Sequence, residues 1–350
     1  MNASPSVSAF PDNQSRPRAV GIWLLVIAAM ILTMVIVGGI TRLTESGLSI
    51  TEWKPVTGAI PPLSDAQWAA EFDRYKHSSQ YVLMNEGMTL AAFKHIYFWE
   101  YFHRLVGRLL GLVFFVPLVV FAVRRAIPKG FGPRLVILFI LGGAQGGIGW
   151  LMVKSGLTDR VNVEPAMLAA HLCMALALLA AIVWTARDML CLARDPAGPE
   201  ARLTLAGFIP FAILFVQIFL GAITAGLRAG YVSNSWPLMN DHFVPEGITW
   251  WGSFWMTITS DQYLVHFLHR WWAWAAFVAM VFLARRAKRA GDRGASIAVN
   301  ALVGVQVALG IATVLSGIAL PLAVLHQGVG ALLLACAAWA MHSAGRIRRI

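Results

Sequence analysis

Eight uninterrupted apolar runs constrain this chain more than any other feature of its sequence. A bilayer core takes ~20 consecutive helical residues to cross. In hydrocarbon every backbone N–H and C=O must be bonded within the protein, so runs of that length form spanning helices. We place them at about 20–41, 97–123, 132–153, 165–187, 203–226, 261–284, 295–317 and 321–342. A mean hydropathy of +0.66 with only 13% charged residues excludes an ordinary soluble domain. The fourteen tryptophans suit aromatic belts at the two membrane interfaces.

The net charge of +11 does not point to nucleic acid, because the basic residues form no stripe. They gather between apolar runs instead. Arg16 and Arg18 precede the first run, and Arg124, Arg125, Lys129 and Arg134 separate the second from the third. Arg187, Arg194 and Arg202 follow the fourth, Arg285, Arg286, Lys288, Arg289 and Arg293 the sixth, and Arg346, Arg348 and Arg349 close the chain. All fall on one side, which the positive-inside rule assigns to the cytoplasm together with both termini. The other side carries two long loops, about 42–96 and 229–260, where Glu45, Glu52, Asp65, Glu71, Asp73, Glu86, Asp241, Glu246 and Asp261 balance the cations. Residues 1–19 are polar and rich in Pro and Ser, lack the core of a signal peptide, and read as a disordered tail. Cys173, Cys191 and Cys336 are too scattered for a disulfide frame or a zinc site.

The runs repeat as a set of four. GGITRL, EYFHRLVGRLLGLVF, GAQGGIGWLMVKSG and PAMLAAHLCMALALLA in the first half are answered by GAITAGLRAG, HFLHRWWAWAAFVAM, VGVQVALGIATVLSG and PLAVLHQGVGALLLA in the second. His103 and Arg104 thus match His269 and Arg270, Gln145 matches Gln306, and His171 matches His326. An even number of spans per repeat preserves orientation, which places the relating axis along the membrane normal. The expected fold is an all-α integral membrane protein: eight transmembrane helices in two tandem four-helix bundles related by a pseudo-twofold axis. The halves are 20–187 and 203–342, joined by a cytoplasmic linker at 188–202, with a basic tail at 343–350.

Ionisable side chains inside a spanning helix are functional by default. His103 and His171 each lie roughly 9 Å below the outer interface at ~1.5 Å per residue, and His269 and His326 lie similarly shallow. Two histidines on facing helices at one depth supply the axial nitrogens of a heme. A lone intramembrane histidine as readily bonds a backbone carbonyl, but a duplicated pair at matched depth is hard to explain that way. Arg104 and Arg270 suit heme propionates, since arginine binds carboxylates bidentately. Arg42, Arg108 and Arg228 are weaker candidates, and helix-end snorkelling explains Arg42 and Arg228 equally well. The glycines of GAQGGIG and GLRAG favour small-residue helix packing over contact with a macrocycle.

Glu100 breaks the symmetry. It precedes His103 by three residues on one helical face, while its counterpart is His266. An acid in one half only suggests that one site does chemistry while its twin holds a cofactor. An ion pair with Arg104 or Arg108 is the plainer reading of the same residue. The Glu-x-x-His spacing also occurs in di-iron bundles, but the further intramembrane glutamates such a site needs are lacking.

At these residues the chain resembles heme A synthase, through GGITRLTESGLSITEWKPVTGAIPP, EYFHRLVGRLLGL and the paired histidines, from about Gly21 to the end of the eighth run. The resemblance implies an inner-membrane enzyme of cytochrome oxidase assembly that oxidises the C8 methyl of heme O to a formyl group. It implies two hydroxylations, through an alcohol and a geminal diol that loses water. It further implies that His269 and His326 bind a permanent heme b, that His103 and His171 face the substrate heme, and that Glu100 is the essential acid. Heme O synthase is the partner it implies, within membrane lipid and with a homo-oligomer left open. Some members carry a cysteine pair in the first outer loop; here that loop has none, as in the branch found in proteobacteria and mitochondria.

Two rivals stand beside this reading. A di-heme cytochrome b-type electron-transfer protein usually places its hemes at two depths, often with two ligands on one helix, whereas here four ligands on four helices lie near one side. A transporter would share the tandem repeat, but the chain lacks an intramembrane Asp and an unwound mid-span segment.

Overall fold

The computed structural model describes residues 15–54, 57–157 and 160–346, and among them there is no β-strand. Eight helices are long and apolar enough to cross a membrane: α1 (Pro17–Leu43), α4 (Leu90–Val123), α5 (Gly132–Gly156), α6 (Pro165–Arg194), α7 (Leu205–Gly226), α9 (Gln262–Arg289), α10 (Arg293–Leu315) and α11 (Leu320–Gly345). Short helices α2 (Asp65–Lys76) and α3 (Ser79–Met84) lie between α1 and α4, and α8 (Phe254–Ser260) precedes α9. Proline occupies the first turn of α1, α5, α6 and α11, where its missing N–H leaves no bond unmade. Asp261 and Asp292 cap α9 and α10 by accepting from the N–H groups of Leu264 and Ala295.

Each expected span has its helix, with informative differences at the ends. α4 begins at Leu90 rather than 97, because Phe93, Ile96 and Tyr97 bury against Phe72 and Tyr75 of α2 instead of entering lipid. Phe93 stacks 5.0 Å from Phe72 and 5.2 Å from Tyr75, so the first outer loop carries an aromatic core of its own. α6 runs on to Arg194 and takes the start of the linker expected at 188–202. α1 already begins at Pro17, inside the expected tail, and α11 reaches Gly345. The rest of the tail at 1–14, and Arg348 and Arg349, lie outside the described residues.

α1, α4, α5 and α6 close one ring of neighbours, and α7, α9, α10 and α11 close another. The rings meet where α1 touches α11, α6 touches α7, and α6 touches α11. Exchanging the halves turns the first of these contacts into the second and leaves the third unchanged. The seam is dense with alanine: Ala331, Ala335, Ala337, Ala338, Ala340 and Ala344 of α11 are all buried. Lipid offers no hydrophobic drive between helices, so close backbone approach through small side chains supplies the packing.

Individual residues repeat the same exchange. Glu45 and Arg228 each stand seven residues past a matched glycine, Gly38 or Gly221, and both adopt left-handed backbone, with φ of 56° and 55°. They form an ion pair with each other between the halves. At the end of the molecule where α1 begins and α11 finishes, Arg187 lies 5.0 Å over the ring of Trp339, while His342 sits 5.1 Å from the ring of Trp184. Arg187 and His342 are matched positions, as are Trp184 and Trp339.

Candidate heme sites

The four histidines lie near the end of the bundles opposite the start of α1 and the end of α11. His171, His269 and His326 come within two turns of the starts of α6, α9 and α11, and His103 comes later in α4 only because that helix projects beyond the bundle. Each ring rests against a glycine of the neighbouring helix: His103 on Gly38 of α1, His171 on Gly149 of α5, His269 on Gly221 of α7 and His326 on Gly310 of α10. A Cβ added at those glycines would stand 3.2, 2.9, 2.8 and 3.0 Å from the ring. A larger residue at Gly149 or Gly221 would displace the imidazole, and one at Gly310 or Gly38 would need it to give by a few tenths of an ångström. The packing role expected for the GAQGGIG glycines is therefore specific at Gly149, whose repeat partner is Gly310.

The rings of His269 and His326 face each other with centroids 6.4 Å apart and planes at 90°. With metal–nitrogen bonds of about 2 Å, two imidazoles on opposite sides of one iron have centroids about 6 Å apart. The C-terminal pair thus fits a six-coordinate heme iron. In the N-terminal half, His103 and His171 lie within electrostatic reach of one another.

Glutamines attend three of the rings. Gln145 Nε2 donates to the His171 carbonyl at 2.9 Å and lies 3.0 Å from its Nδ1. Gln217 Nε2 makes the same pair of contacts to His269, at 3.0 and 3.1 Å, and Gln306 Nε2 lies 3.5 Å from His326 Nε2. Gln145 and Gln306 are legible from the repeat. Gln217 is not, because the matching position in the first half is Met34.

The arginines act on loops. Arg104 donates to the carbonyls of Ile50 (3.2 Å) and Glu52 (3.4 Å), and Arg270 donates to the matched carbonyls of Ser233 (3.1 Å) and Ser235 (2.7 Å). Arg270 also donates to Leu238 O and, through Nε, to His266 Nε2 at 3.0 Å, so every guanidinium nitrogen has a protein acceptor. Arg42 donates to the carbonyls of Ala225 and Gly226 at the end of α7, and Arg228 pairs with Glu45; both therefore tie the halves together. Arg108 donates to Lys54 O at 3.0 Å and, with Arg104 and Tyr97, lines a cavity of about 440 Å³ under the first outer loop.

Glu100 is 3% exposed. Its Oε2 accepts from Ser49 Oγ at 2.7 Å and from the Ile50 N–H at 2.8 Å, and its Oε1 pairs with Arg104 Nη2 at 2.6 Å. The plainer reading of this residue, an ion pair with Arg104, is thus present. Glu100–Arg104 and His266–Arg270 are one device in two chemistries, each pinning the loop that follows the first helix of its half. His266 is committed to Arg270, whereas His269 faces His326.

A family model, COX15-CtaA, described as cytochrome oxidase assembly protein, matches residues 21–338. The heme A synthase of Sphingopyxis alaskensis is 56% identical over 343 residues, covering 98% of this chain and 96% of the relative. That of Novosphingobium aromaticivorans is 48% identical over 357 residues, covering 99% and 100%. That of Erythrobacter litoralis is 52% identical over 334 residues, covering 95% and 98%.

Proposed function

The chain belongs to the COX15-CtaA family of cytochrome oxidase assembly proteins, and from that premise we propose that it is a heme A synthase whose two halves have divided the work. The substrate is heme O, and its C8 methyl passes through an alcohol and a geminal diol to the formyl group of heme A. His103 and His171 bind the substrate heme. His269 and His326 bind a heme b, which when bound supplies a one-electron redox centre beside the substrate. One observation carries this division: paired histidines seated on matched glycines recur in both halves, while the acid Glu100 occurs in one alone.

The residues around the N-terminal pair position and enclose the substrate. Glu100 and Arg104 hold the segment from Ser49 to Glu52 against the side of α4, beside His103. Glu100 stands one turn from His103 on the same helix. Arg104 and Arg108 both line the cavity under that loop and are the arginines proposed to meet a propionate. Arg104 and Arg270 also hold the loops beside the two histidine pairs. The protein lies in the cell inner membrane with both termini in the cytoplasm, where the basic segments gather, and it receives its substrate from heme O synthase.

Pigment extraction after expression with and without a source of heme O tests the activity: heme A is expected only with the source, and its absence in both cultures would sink the proposal. The ligand assignment has its own test. His269→Ala and His326→Ala should each lose the low-spin heme b spectrum, and survival of that spectrum in both would show that other residues ligate. A purely electron-carrying di-heme protein would also show heme spectra, but it would produce no new formyl-bearing pigment.

A further inference from the structure

The two outer loops place their aromatic residues in opposite ways. In the first, Phe72, Tyr75, Phe93 and Tyr97 bury against one another. In the second, Trp250, Trp251, Phe254, Trp255 and Met256 are all exposed. No charged residue or histidine occurs from Gly247 to Ser260. A contiguous apolar face of this kind marks a surface that something covers.

The segment is a built excursion. It leaves at Thr249, whose N–H donates to Asp261 Oδ2 at 2.9 Å, and so returns to the residue that caps α9. Within it the Trp251 N–H donates to Thr257 Oγ1 at 3.0 Å, the Met256 N–H to Ser253 Oγ at 3.1 Å and the Thr257 N–H to the Ser253 carbonyl at 2.9 Å. Thr257 and Asp261, the side chains that fasten it, are buried. These backbone donors are met inside the protein, which is what seating in a membrane requires of them.

Its level is set by α7. Trp255 stacks on Phe219 with ring centroids 5.8 Å apart and planes at 14°, and Ile258 packs into the cluster of Leu220 and Ile223. Phe219 lies about 10 Å of helix before the end of α7 at Gly226. Gln262 Nε2 donates to the Leu227 carbonyl at 2.6 Å, so α9 begins level with that end. α8 therefore lies alongside the outer turns of these spans rather than above them. Phe208 and Val216 share the face of α7 that carries Phe219, and both are exposed, so the aromatic face continues the lipid-facing side of a spanning helix.

We propose that residues 250–256 are seated in the outer leaflet of the membrane, their aromatic face covered by phospholipid at the boundary between headgroups and acyl chains. Tryptophan suits that boundary, because its ring is apolar and its indole N–H can still reach water or a headgroup. A short, uncharged apolar helix flush with the ends of two spans is an interfacial segment. The halves then differ in their loops. The first is closed on its own aromatic core, while the second is anchored in lipid and braces α7 two residues from Gly221, on which His269 rests.

The test uses full-length protein in phosphatidylcholine nanodiscs. Nitroxide labels are placed singly at Trp251→Cys, Phe254→Cys and Met256→Cys, with Cys173, Cys191 and Cys336 replaced by alanine. Collisions with oxygen, which concentrates in lipid, are compared with collisions with a water-soluble nickel chelate. Val216→Cys marks lipid and Glu86→Cys marks water. The three labels should meet the nickel chelate several-fold less often than Glu86→Cys does and give oxygen-to-nickel ratios on the Val216 side. Ratios matching Glu86 overturn the proposal. So does exclusion of both reagents, which would put a second copy or another protein on this face. The unsubstituted chain supplies a reading that does not depend on the cysteine variants folding. In nanodiscs whose phosphatidylcholine carries a photoactivated diazirine on the acyl chain, lipid adducts should map to 250–256 as well as to α7. Adducts on α7 with none on 250–256 overturn the proposal.

Discussion

At the scale of single residues, the sites are made by what is left out as much as by what is present. Gly221 lets the His269 ring lie where a Cβ would stand 2.8 Å from it. Gly221→Leu should therefore expel heme b, read as loss of its low-spin absorbance, while overpacking costs the fold about 1–3 kcal/mol. Gly38, where the added Cβ would stand at 3.2 Å, should tolerate alanine best of the four. Glu100→Ala is expected to keep the heme b spectrum and to make no heme A, because its three partners belong to the N-terminal site alone. Normal pigment conversion in that variant would remove Glu100 from the chemistry. The histidines and Glu100 were legible because an ionisable group in an apolar run stands out. Gln217 was not, because its repeat partner is a methionine and a lone glutamine in a span carries no pattern.

At the scale of elements, loops and helix ends are tied by the same arginines that the sequence offers as propionate partners. Arg270 is 6% exposed and gives its donors to Ser233, Ser235, Leu238 and His266. Arg270→Ala would strand those acceptors, a loss on the order of 3 kcal/mol, and should open the segment 233–239 to limited proteolysis. Arg270→Lys should rescue it only in part, since an ammonium lacks the planar fork that reaches three carbonyls at once. A carboxylate-seeking arginine and a loop-anchoring arginine look alike in a sequence; the acceptor is chosen by where the loop folds back. The start of α4 teaches the same lesson. Its first turns are amphipathic rather than apolar, and the aromatic faces of α2 make them helical.

At the scale of the whole molecule, the halves are fastened at both ends. Glu45 meets Arg228 at the end near the four histidines, and at the other end Asp188 of α6 meets His342 Nε2 of α11 at 2.9 Å while Arg187 reaches Asp292 at 3.4 Å; within the second half Asp292 also accepts from Trp339 Nε1 at 2.8 Å and Ser343 Oγ at 2.7 Å. Burial pushes the Asp292 carboxyl up, but the Ala295 N–H, Ser343, Trp339 and the Arg187 charge outweigh it and hold it below the usual carboxylate range. A carboxyl with a depressed folded pKa adds stability above its unfolded value, about 4, and that stability is lost as pH falls through the folded value. Asp292→Asn keeps a capping side chain but removes the charge. It should lower the unfolding temperature near pH 7, and the gap from the wild type should close on acidification below about pH 4. A gap that does not narrow at all as the pH is lowered through the carboxylate range would mean that the charge is not what Asp292 contributes.

By itself the sequence determined the eight spans, their duplication and the four histidines, because crossing a membrane demands unbroken apolar length and because a polar group inside it must have a use. Tertiary structure alone decided which neighbour each polar group meets: glycine beneath each ring, amide beside three of them, loop carbonyls on the arginines, and one half's Glu45 against the other's Arg228. The physical reason is one of range. Burial and helix formation are written in consecutive residues, whereas a hydrogen-bond partner is fixed by the approach of two backbones far apart in the chain.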